Sequence, residues 1–324
     1  MLYRTIAGRT VSALCLGAMN FGSTTPPATA IAILDRFVAA GGTFIDTSNN
    51  YNQWIAQGGE SEELLGRWMQ SRGNRDQLTI ATKCGARTTV PGGDPNDNWE
   101  GLSAAAIDSA VKGSLTRLGT DHIDLYYAHI DDRNTSQEET VGALGRLAAD
   151  GVVGVLGCSN TAAWRLEGAR QLADVQGVPP YAVIQQHYTY LWPNPPALRG
   201  VRRLGSPHHQ HAGIEHLDYV SAHPDVTLVA YQPLLAGSYA HLDRPFPANR
   251  GYAHPTAYAR FEVLRHVAHE LGATPNQVVL AWLLHHDPPI IPLFGASSLA
   301  QVDEALDALD INLDAQLMDR LDNA

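Results

Sequence analysis

The chain has 324 residues and a mass of 35.0 kDa, a size that suits one large α/β domain or two ordinary ones. Hydrophobic residues make up 44% and charged residues only 17%, so a large core is available and the composition argues against intrinsic disorder. The 22 basic and 33 acidic residues give a net charge of −11, which argues against a general nucleic-acid-binding protein.

Short apolar runs alternate with amphipathic helical patterns along the whole chain. The predicted strands are Tyr3–Ile6, Thr10–Val11, Ala13–Leu16, Thr43–Ile45, Leu78–Thr82, Ile123–Ala128, Val153–Gly157, Val183–Gln185, Val226–Ala230 and Ile290–Leu293. The predicted helices include Ala28–Ala39, Ser61–Met69, Ala104–Leu118, Glu138–Ala149, Ala162–Leu172 and Pro275–His285. This alternation predicts a parallel (β/α)8 TIM barrel rather than an open sheet, with the first two strands forming a hairpin that closes the bottom.

Two segments, residues 188–211 and 235–255, break this alternation and are rich in Pro, Gly, His and aromatic residues. Each follows a predicted strand end, so in a barrel both would overhang the C-terminal mouth and shape a substrate pocket. No linker or composition shift divides the chain, and we therefore expect residues 1–324 to form a single domain. The order of these loops without a ligand and the oligomeric state stay open at this point.

The cysteines and the apolar runs bear on the cellular compartment. Cys15, Cys84 and Cys158 lie far apart, which is typical of a reducing compartment and excludes a CxxC site. No apolar run approaches the roughly 18 residues that a membrane-spanning helix needs. Residues 11–22 weakly imitate a signal peptide, but polar residues interrupt them and no convincing cleavage site follows. We expect a soluble cytoplasmic protein with no membrane partner.

Several common catalytic motifs are absent from the sequence. No two glycines are spaced i, i+2, so the dinucleotide fingerprint GxGxxG cannot occur, and neither lysine follows a glycine as a P-loop requires. Ala273 stands where a zinc-protease helix beginning at His269-Glu270 would need its second histidine. A GxSxG nucleophile elbow is also missing. Any phosphate or nucleotide must therefore be held in another way.

Polar side chains follow the carboxyl ends of successive predicted strands, where barrel active sites are built. They are Asp46, Tyr51, Lys83, His129, Ser159, Asn160, Gln185 and Tyr231, and Gly295 follows the eighth barrel strand and leads into a helix. Each of them alone is more often a turn former, a solvated charge or a hydrogen-bonded core residue than a catalyst. Their joint placement at one barrel mouth favours an active site.

The residue types in this group suit proton transfer to a carbonyl oxygen. A phenol with an ordinary pKa near 10 is a poor acid, and a buried ammonium within hydrogen-bonding distance is expected to lower the pKa of Tyr51. Lys83 is the candidate ammonium, and Asp46 is expected to keep it charged and oriented. His129 is expected to donate a hydrogen bond to the oxygen that gains negative charge. This arrangement protonates an alkoxide while a hydride reaches the carbon, without a metal.

These motifs resemble the aldo-keto reductase superfamily over nearly the whole chain. Blocks similar to that family are residues 3–4 (YR), 16–22 (LGAMNFG), 59–66 (GESEELLG), 117–126 (RLGTDHIDLY) and 157–160 (GCSN). The family's Asp–Tyr–Lys–His tetrad falls on Asp46, Tyr51, Lys83 and His129, complete and in order. The resemblance implies a TIM barrel that reduces carbonyls with a nicotinamide cofactor.

The resemblance also implies which residues hold that cofactor. Ser159, Asn160 and Gln185 match positions that bind the carboxamide, and Tyr231 matches the aromatic ring that stacks on the nicotinamide. The remaining matches are Gly17, Ala18, Met19 and Asp46 on the first strands, the pyrophosphate loop Gln232, Pro233, Leu234, Leu235, Ala236 and Gly237, and Gly295, Ser297, Gln301 and Glu304 at the last motif. A helix that starts at the last motif would offer free N–H groups to a phosphate.

The choice between NADP and NAD follows less directly from the resemblance. Ala305 stands where the family commonly has Asn, and Gln232 replaces its usual serine. Gly295 and Gln301 occupy the positions of the Lys and Arg by which some members hold a 2′-phosphate. Related branches with a similar Gly-x-Ser pattern use NADP, so NADPH is the preferred prediction and NAD remains open.

Histidine and tryptophan residues raise two further questions. His208, His209, His211 and His216 form a cluster, but no carboxylate or cysteine accompanies it, and we predict no metal site. Trp68 and Trp282 lie on apolar helix faces and are assigned to the core. The residues predicted to line a substrate pocket are Asn20, Trp54, Trp99, His187 and Trp192.

The leading hypothesis is an NADPH-dependent reductase of a small-molecule ketone or aldehyde, with Tyr51 as the proton donor. Residues 17–22 resemble bacterial members that act on sugars or secondary metabolites, so such a carbonyl is the candidate substrate. The alternative is a cofactor-binding regulatory subunit with the same barrel and little turnover, as in the potassium-channel β subunits. The intact tetrad does not separate the two hypotheses.

Overall fold

Eight parallel strands close into a barrel in the computed structural model, which describes residues 1–90, 98–194, 211–241, 246 and 251–324. The barrel strands are β3 (Cys15–Gly17), β4 (Phe44–Asp46), β5 (Thr79–Cys84), β6 (Ile123–Ala128), β7 (Val153–Ser159), β8 (Tyr181–His187), β9 (Thr227–Tyr231) and β10 (Ile291–Gly295). They pair in chain order, and β10 closes the ring on β3. The predicted TIM barrel is confirmed.

The helices lie between these strands and after the last of them. They are α1 (Pro27–Ala39), α2 (Glu60–Arg72), α3 (Ala104–Leu118), α4 (Gln137–Ala149), α5 (Ala163–Gln176), α6 (Ile214–Ala222), α7 (Pro255–Glu270), α8 (Pro275–Leu284), α9 (Leu299–Asp307) and α10 (Ala315–Asp322). Local chemistry accounts for several of their ends. The Ser103 and Ser136 side chains accept from the third residue of α3 and α4, and Gly119 ends α3 in a left-handed conformation.

An antiparallel hairpin of β1 (Tyr3–Ile6) and β2 (Arg9–Ser12) precedes the barrel, as the sequence predicted. Ile6 and Val11 of the hairpin are buried in one cluster with inward-facing strand residues such as Leu125 and Val229. Arg9 forms an ion pair with Asp124 near the amino-terminal end of β6. The hairpin therefore closes the bottom of the barrel, and the opposite, carboxyl end of the strands is left to form a site.

Two apolar layers hold the barrel together. The inner layer fills the barrel and includes Cys15, Phe44 and Tyr127, all of them buried. The larger outer layer lies between the strands and the helices, where Trp68 and Trp282 are buried as the sequence predicted. The barrel strands bury most of their residues on both faces, which explains why the sequence shows continuous apolar runs rather than alternation.

Most predicted elements match the structure to within a few residues, but α6, α7 and α10 were not predicted. The helical pattern of α7 is hidden because a charged residue, Arg260, lies on its buried side. The Arg260 Nε donates to the Tyr190 carbonyl over 2.8 Å, and its guanidinium stacks on the Tyr190 ring. A charge that is satisfied by distant backbone cannot be distinguished in sequence from a solvated one.

The two irregular segments are only partly described by the structure. Residues 188–194 follow β8, and Tyr188 and Tyr190 among them are buried. Residues 235–240 form a short 3-10 turn after β9. The predicted overhang of residues 195–210, 242–245 and 247–250 lies outside the described residues. Within the described part of the chain, no helix is long and apolar enough to cross a membrane.

Candidate active site

The four tetrad residues meet at the carboxyl end of three neighbouring strands. Asp46 is the last residue of β4, Lys83 is the next-to-last of β5, and His129 directly follows β6. Tyr51 lies in the turn that continues from β4. Because β4, β5 and β6 are adjacent and parallel, their carboxyl ends bring together Asp46 and His129, which are 83 positions apart in the sequence.

Lys83 forms a fully buried hydrogen-bonded centre beneath Tyr51. Its ammonium pairs with the buried Asp46 carboxylate and donates to the Thr47 carbonyl over 2.8 Å and to the Tyr51 hydroxyl over 2.9 Å. The other Asp46 oxygen accepts from Gln185 Nε2 at 2.9 Å. All three hydrogens of the ammonium therefore have acceptors, which fixes its position. The Tyr51 oxygen accepts from Lys83, and its own hydrogen is shared with the Asp46 carboxylate.

The pKa of Tyr51 is shifted in the direction opposite to the prediction. Burial raises the pKa of the phenol well above its ordinary value, and the nearby Asp46 carboxylate raises it further. Burial likewise lowers the pKa of Lys83 and raises that of Asp46, while the attraction between the two opposes both shifts. The sequence suggested only the favourable effect of the ammonium, whereas loss of hydration is the larger effect here. Tyr51 is thus held as a neutral phenol, the form that donates a proton.

His129 lies beside Tyr51 and is held from behind by Ser48. The two ring centroids of His129 and Tyr51 are 6.0 Å apart in an edge-to-face arrangement. The Ser48 hydroxyl lies 3.1 Å from His129 Nδ1 and donates to Asn50 Oδ1 over 2.7 Å. Ser48 and Asn50 are both buried. The histidine ring is therefore anchored next to the phenol.

A cavity of about 550 Å³ opens above this centre. Tyr51, His129 and Asp46 line it, while Lys83 lies beneath them and does not reach the surface of the cavity. A volume of this size is ordinary for a small-molecule or cofactor pocket.

Most residues predicted to hold a cofactor line the same cavity. They are Gly17, Met19, Asp46, Ser159, Asn160, Gln185, Tyr231, Gln232, Pro233, Leu234, Ala236, Gly237, Gly295, Ser297, Gln301 and Glu304. Ala18 and Leu235 do not line it, because both side chains are buried in the apolar core. Residues at the ends of five or more barrel strands, which are remote from one another in sequence, thus line the same cavity.

The shape and polarity of this wall fit a nicotinamide dinucleotide. Gly237 and Gly295 both border the cavity, and a side-chain carbon added at either would meet nothing within 4 Å. Their bare backbone leaves room for a ligand to approach closely. Ser159 and Gln185 offer polar groups, and the half-buried Tyr231 offers an aromatic ring.

Residues of α9 and α8 also line the cavity. The Gln301 Oε1 accepts from the Ser297 backbone N–H at 2.7 Å and from its hydroxyl at 3.0 Å. Glu304 accepts from Thr274 at 2.6 Å and from Asn276 at 3.2 Å. Gly295 and Gln301 are the two positions at which some family members hold a 2′-phosphate with Lys and Arg. In this structure Gln301 is hydrogen-bonded to Ser297, and Gly295 leaves open space.

The predicted substrate residues divide into two groups. Asn20 and Trp54 line the cavity, and the partly exposed Trp54 ring lies 6.4 Å from that of Tyr51. Trp99, His187 and Trp192 do not line it. Trp99 packs against the outer apolar layer, and Trp192 packs against the ring of Tyr188.

His187 is separated from the cavity because it is buried behind Tyr231. Its ring centroid lies 5.4 Å from that of Tyr231 and 5.2 Å from that of His211. The inward or outward direction of a residue at the end of a strand depends on the barrel's register, which sequence spacing alone does not specify.

The structure adds cavity residues that the sequence analysis did not select. They include Phe21, Asn50, His241, Asn276 and Leu280. Asn50 directly precedes Tyr51 and could have been chosen for that reason. Asn276 and Leu280 lie one turn apart on α8, and no local pattern marks that face of the helix as part of a site.

The histidine cluster is only partly described. His208 and His209 lie outside the described residues. Burial lowers the pKa of His211 to about 4, and its Nδ1 donates to the Ala212 carbonyl over 2.9 Å. His216 contacts the Thr161 carbonyl at 3.0 Å. Among the residues that the structure describes, no group of three or more His, Cys, Asp or Glu could hold a metal ion.

Comparison with known proteins gives a consistent result. The family model described as "Aldo/keto reductase family" matches residues 13–324. Norsolorinic acid reductase stcV of Emericella nidulans is 32% identical over 319 residues, which cover 95% of this chain and 76% of that protein. The uncharacterized oxidoreductase YrpG of Bacillus subtilis is 31% identical over 98% of this chain and 94% of its own length.

A third relative carries a cofactor in its name. The aryl-alcohol dehydrogenase [NADP(+)] of Phanerodontia chrysosporium is 29% identical over 345 residues, which cover 98% of this chain and 83% of that protein. The three relatives are named as a reductase, an oxidoreductase and a dehydrogenase.

Proposed function

Because the chain belongs to the aldo/keto reductase family and is therefore an oxidoreductase, we propose that it reduces a ketone or aldehyde with NADPH. Tyr51 is the proposed proton donor, within a single domain that spans residues 1–324. The observation that carries the proposal is the contact of the buried Lys83 ammonium with the Tyr51 hydroxyl at the floor of the cavity. The family match and the relatives' names favour an enzyme over the regulatory alternative.

The proposed chemistry at Tyr51 follows from its hydrogen bonds. The bound cofactor supplies the hydride, and the carbonyl oxygen that gains negative charge needs a proton. The Tyr51 oxygen accepts from Lys83, and because Tyr51 lines the cavity, its hydroxyl is placed to turn from Asp46 to a carbonyl oxygen bound there. The raised pKa of Tyr51 keeps the phenol protonated until a strongly basic alkoxide forms. The ammonium then stabilises the phenolate that remains.

His129 and Asp46 have supporting roles in this proposal. His129 lines the cavity beside Tyr51, where it orients the carbonyl group of the substrate. Asp46 contacts the Lys83 ammonium and so keeps it beneath the phenol. Gln185 donates to the other Asp46 oxygen and limits the rotation of that carboxylate.

The proposed cofactor is NADPH, and NAD(H) is the competing choice. The relative named as an NADP(+) enzyme supports NADPH. Gly295 and Gln301 supply no cation for a 2′-phosphate, which is the feature that supports NAD(H). Titration of the protein with NADPH and with NADH separates the two: tighter binding of NADH contradicts the proposed preference.

The proposed substrate is a small-molecule carbonyl compound of the sugar or secondary-metabolite class. The names of the relatives include norsolorinic acid and aryl alcohols, and these names favour the second class as the first to test. Trp54, partly exposed at the cavity beside Tyr51, offers a surface on which a flat apolar compound would pack.

The direct test compares wild type with Tyr51→Phe in a carbonyl panel, following NADPH oxidation. We expect turnover to fall by about 10²–10⁴-fold in the variant, because the donated proton is lost, while NADPH affinity persists. Tyr258→Phe is the matched control, since Tyr258 is a partly exposed residue of α7 outside the cavity lining.

Two outcomes would contradict the proposal. Full activity of Tyr51→Phe removes the role of the phenol. Tight NADPH binding by the wild type without turnover of any carbonyl favours the regulatory alternative.

A further inference from the structure

The side chain of Glu100 connects the two segments that carry Tyr51 and Lys83. Glu100 is partly buried and lies four residues before the start of α3. Its Oε1 accepts from Asn49 Nδ2 at 2.7 Å and from the Gly85 N–H at 2.6 Å. Asn49 is two residues before Tyr51, and Gly85 is two residues after Lys83. One carboxylate oxygen thus joins the turn of the proposed proton donor to the end of the strand that carries its cation.

This contact lies where the pairing between the two segments ends. The Asn49 N–H donates to the Lys83 carbonyl over 3.2 Å, which extends the pairing of β4 with β5 beyond the last residue of β4. The chain then turns, and the Tyr51 N–H donates to the Ser48 carbonyl over 3.3 Å. The side chain of Glu100 therefore holds the turn at the point where it leaves β5.

The backbone around Glu100 is itself fixed to the end of β5. The Glu100 N–H donates to the Arg87 carbonyl over 2.8 Å, and the Gly101 N–H donates to the Gly85 carbonyl over 3.2 Å. Leu102 follows directly and is buried in the outer apolar layer. The carboxylate is thus carried by a segment that is anchored on both sides of it.

The N–H donor of Gly85 depends on a conformation that favours glycine. Gly85 has a φ of 105°, and a side-chain carbon added there would lie 2.7 Å from Leu102 Cδ2. Both the backbone angle and the close approach therefore require a residue without a side chain.

The charge of Glu100 strengthens both contacts. Burial raises the pKa of Glu100, while the hydrogen bonds from Asn49 and Gly85 act in the opposite direction. These bonds therefore favour the ionised carboxylate. Hydrogen bonds to an ionised acceptor are shorter and stronger than bonds between neutral groups, in agreement with the distances of 2.6 and 2.7 Å.

Neutral hydrogen bonds connect the same two segments beyond Tyr51. Asn50 Nδ2 and Gln53 Nε2 each donate to the Ala86 carbonyl over 3.3 Å. Gln53 Oε1 accepts from the Thr88 N–H at 2.8 Å. These contacts are longer than those of Glu100. They remain when the carboxylate is removed, so we expect the turn to stay folded but to be placed less accurately.

We propose that Glu100 is a positioning residue, which holds the turn of Tyr51 against the end of β5 and so sets the contact between the Tyr51 hydroxyl and the Lys83 ammonium. This inference rests on the proposed function. That contact measures 2.9 Å, and a displacement of the reacting groups by about 1 Å can slow a reaction by about 10²-fold. Glu100 is not among the described residues that line the cavity, so it acts through Asn49 and Gly85.

The test measures kcat for a carbonyl substrate and the Kd for NADPH in wild type, Glu100→Ala and Glu100→Gln. Glu100→Ala leaves both donors without their acceptor, and we expect kcat to fall by about 10–100-fold. The Kd for NADPH should stay within about twofold, because the cofactor lies in a cavity that Glu100 does not line. Glu100→Gln keeps an oxygen that accepts from both donors, so kcat should stay within about threefold of wild type.

Glu139→Ala is the matched control. Glu139 Oε1 accepts from the Ala104 N–H at 2.8 Å, so this carboxylate binds the same stretch of chain at the start of α3. Both kcat and NADPH affinity should remain unchanged in this variant.

Asn49→Ala removes one of the two contacts and keeps the test valid if Glu100→Ala does not fold. We expect a smaller fall in kcat than in Glu100→Ala. In the double variant, kcat should equal that of Glu100→Ala, because the contact of Asn49 with Glu100 is then already lost.

Unchanged kcat in both Glu100→Ala and Asn49→Ala, in protein that circular dichroism shows to be folded, would overturn the positioning role and leave the proposed function intact. Parallel losses of kcat and NADPH affinity would indicate general structural damage and would also overturn it. If the wild-type protein binds NADPH but reduces no carbonyl compound, both the proposed function and this inference are wrong.

Discussion

Two buried carboxylates, Asp46 and Asp124, lie at opposite ends of the barrel and have different surroundings. Asp124, near the start of β6, accepts from the Ile80 N–H at 2.9 Å and pairs with Arg75 at 2.8 Å and Arg9 at 2.9 Å. Asp46, at the end of β4, pairs with Lys83 and accepts from Gln185. Both are almost completely buried, and both have cationic partners.

The two carboxylates differ in what their cationic partners contact. Asp124 contacts the Ile80 backbone, Arg9 of the hairpin and Arg75, so its ion pairs stabilise the closed bottom of the barrel. Lys83, the partner of Asp46, also donates a hydrogen bond to the Tyr51 hydroxyl, and Tyr51 lines the cavity. A buried ion pair therefore indicates function only when it contacts a reactive group that a ligand can reach.

The largest effect is expected from Lys83→Met. Turnover should fall by about 10²–10⁴-fold, because the phenolate of Tyr51 loses its cation. The free energy of unfolding should fall by about 3–5 kcal/mol, since Asp46 is left as an unpaired buried charge. Steady-state kinetics and urea denaturation measure the two quantities. In Lys83→Met/Asp46→Asn, stability should recover while turnover stays low; recovery of turnover would contradict the role of Lys83.

Lys112→Met is the matched control for that substitution. Lys112 lies on α3, and its side chain is 70% exposed and paired with Asp108 one turn away. The free energy of unfolding should change by less than about 0.5 kcal/mol, and turnover should be unaffected.

Asp124→Asn is expected to produce an intermediate effect, and on stability alone. An amide cannot compensate both Arg75 and Arg9, so the free energy of unfolding should fall by about 2 kcal/mol. The exposure of Arg9 to solvent moderates the loss. The value of kcat should match wild type at a temperature where the variant is folded. A lower kcat with unchanged stability would remove the distinction between the two ends of the barrel.

The smallest expected effect is on the alkaline titration of the tyrosines. Burial raises the pKa of Tyr51, so its phenol should stay protonated as the pH rises through the ordinary value near 10. Tyrosinate absorbance should therefore be the same in wild type and Tyr51→Phe between about pH 7 and about pH 10. One additional tyrosinate in wild type below pH 10 would show that Lys83 lowers the pKa after all.

Much of the fold and the set of candidate residues could be predicted from local patterns. Ala104–Leu118 was predicted with the observed bounds, because an N-terminal serine and a C-terminal glycine mark its ends. Helix α7 was missed because the pairing of Arg260 with the Tyr190 backbone is not visible in sequence. His187 was predicted to line the substrate pocket, but the structure buries it behind Tyr231.

The sequence by itself determined the barrel and the strand ends that carry Asp46, Tyr51, Lys83 and His129, because strand–helix alternation and turn chemistry act over short distances. The tertiary structure decided which side chains border the cavity and in which direction the pKa of Tyr51 shifts. These properties depend on burial and on contacts between remote residues. Gln185, for example, reaches Asp46 across 139 positions of the chain.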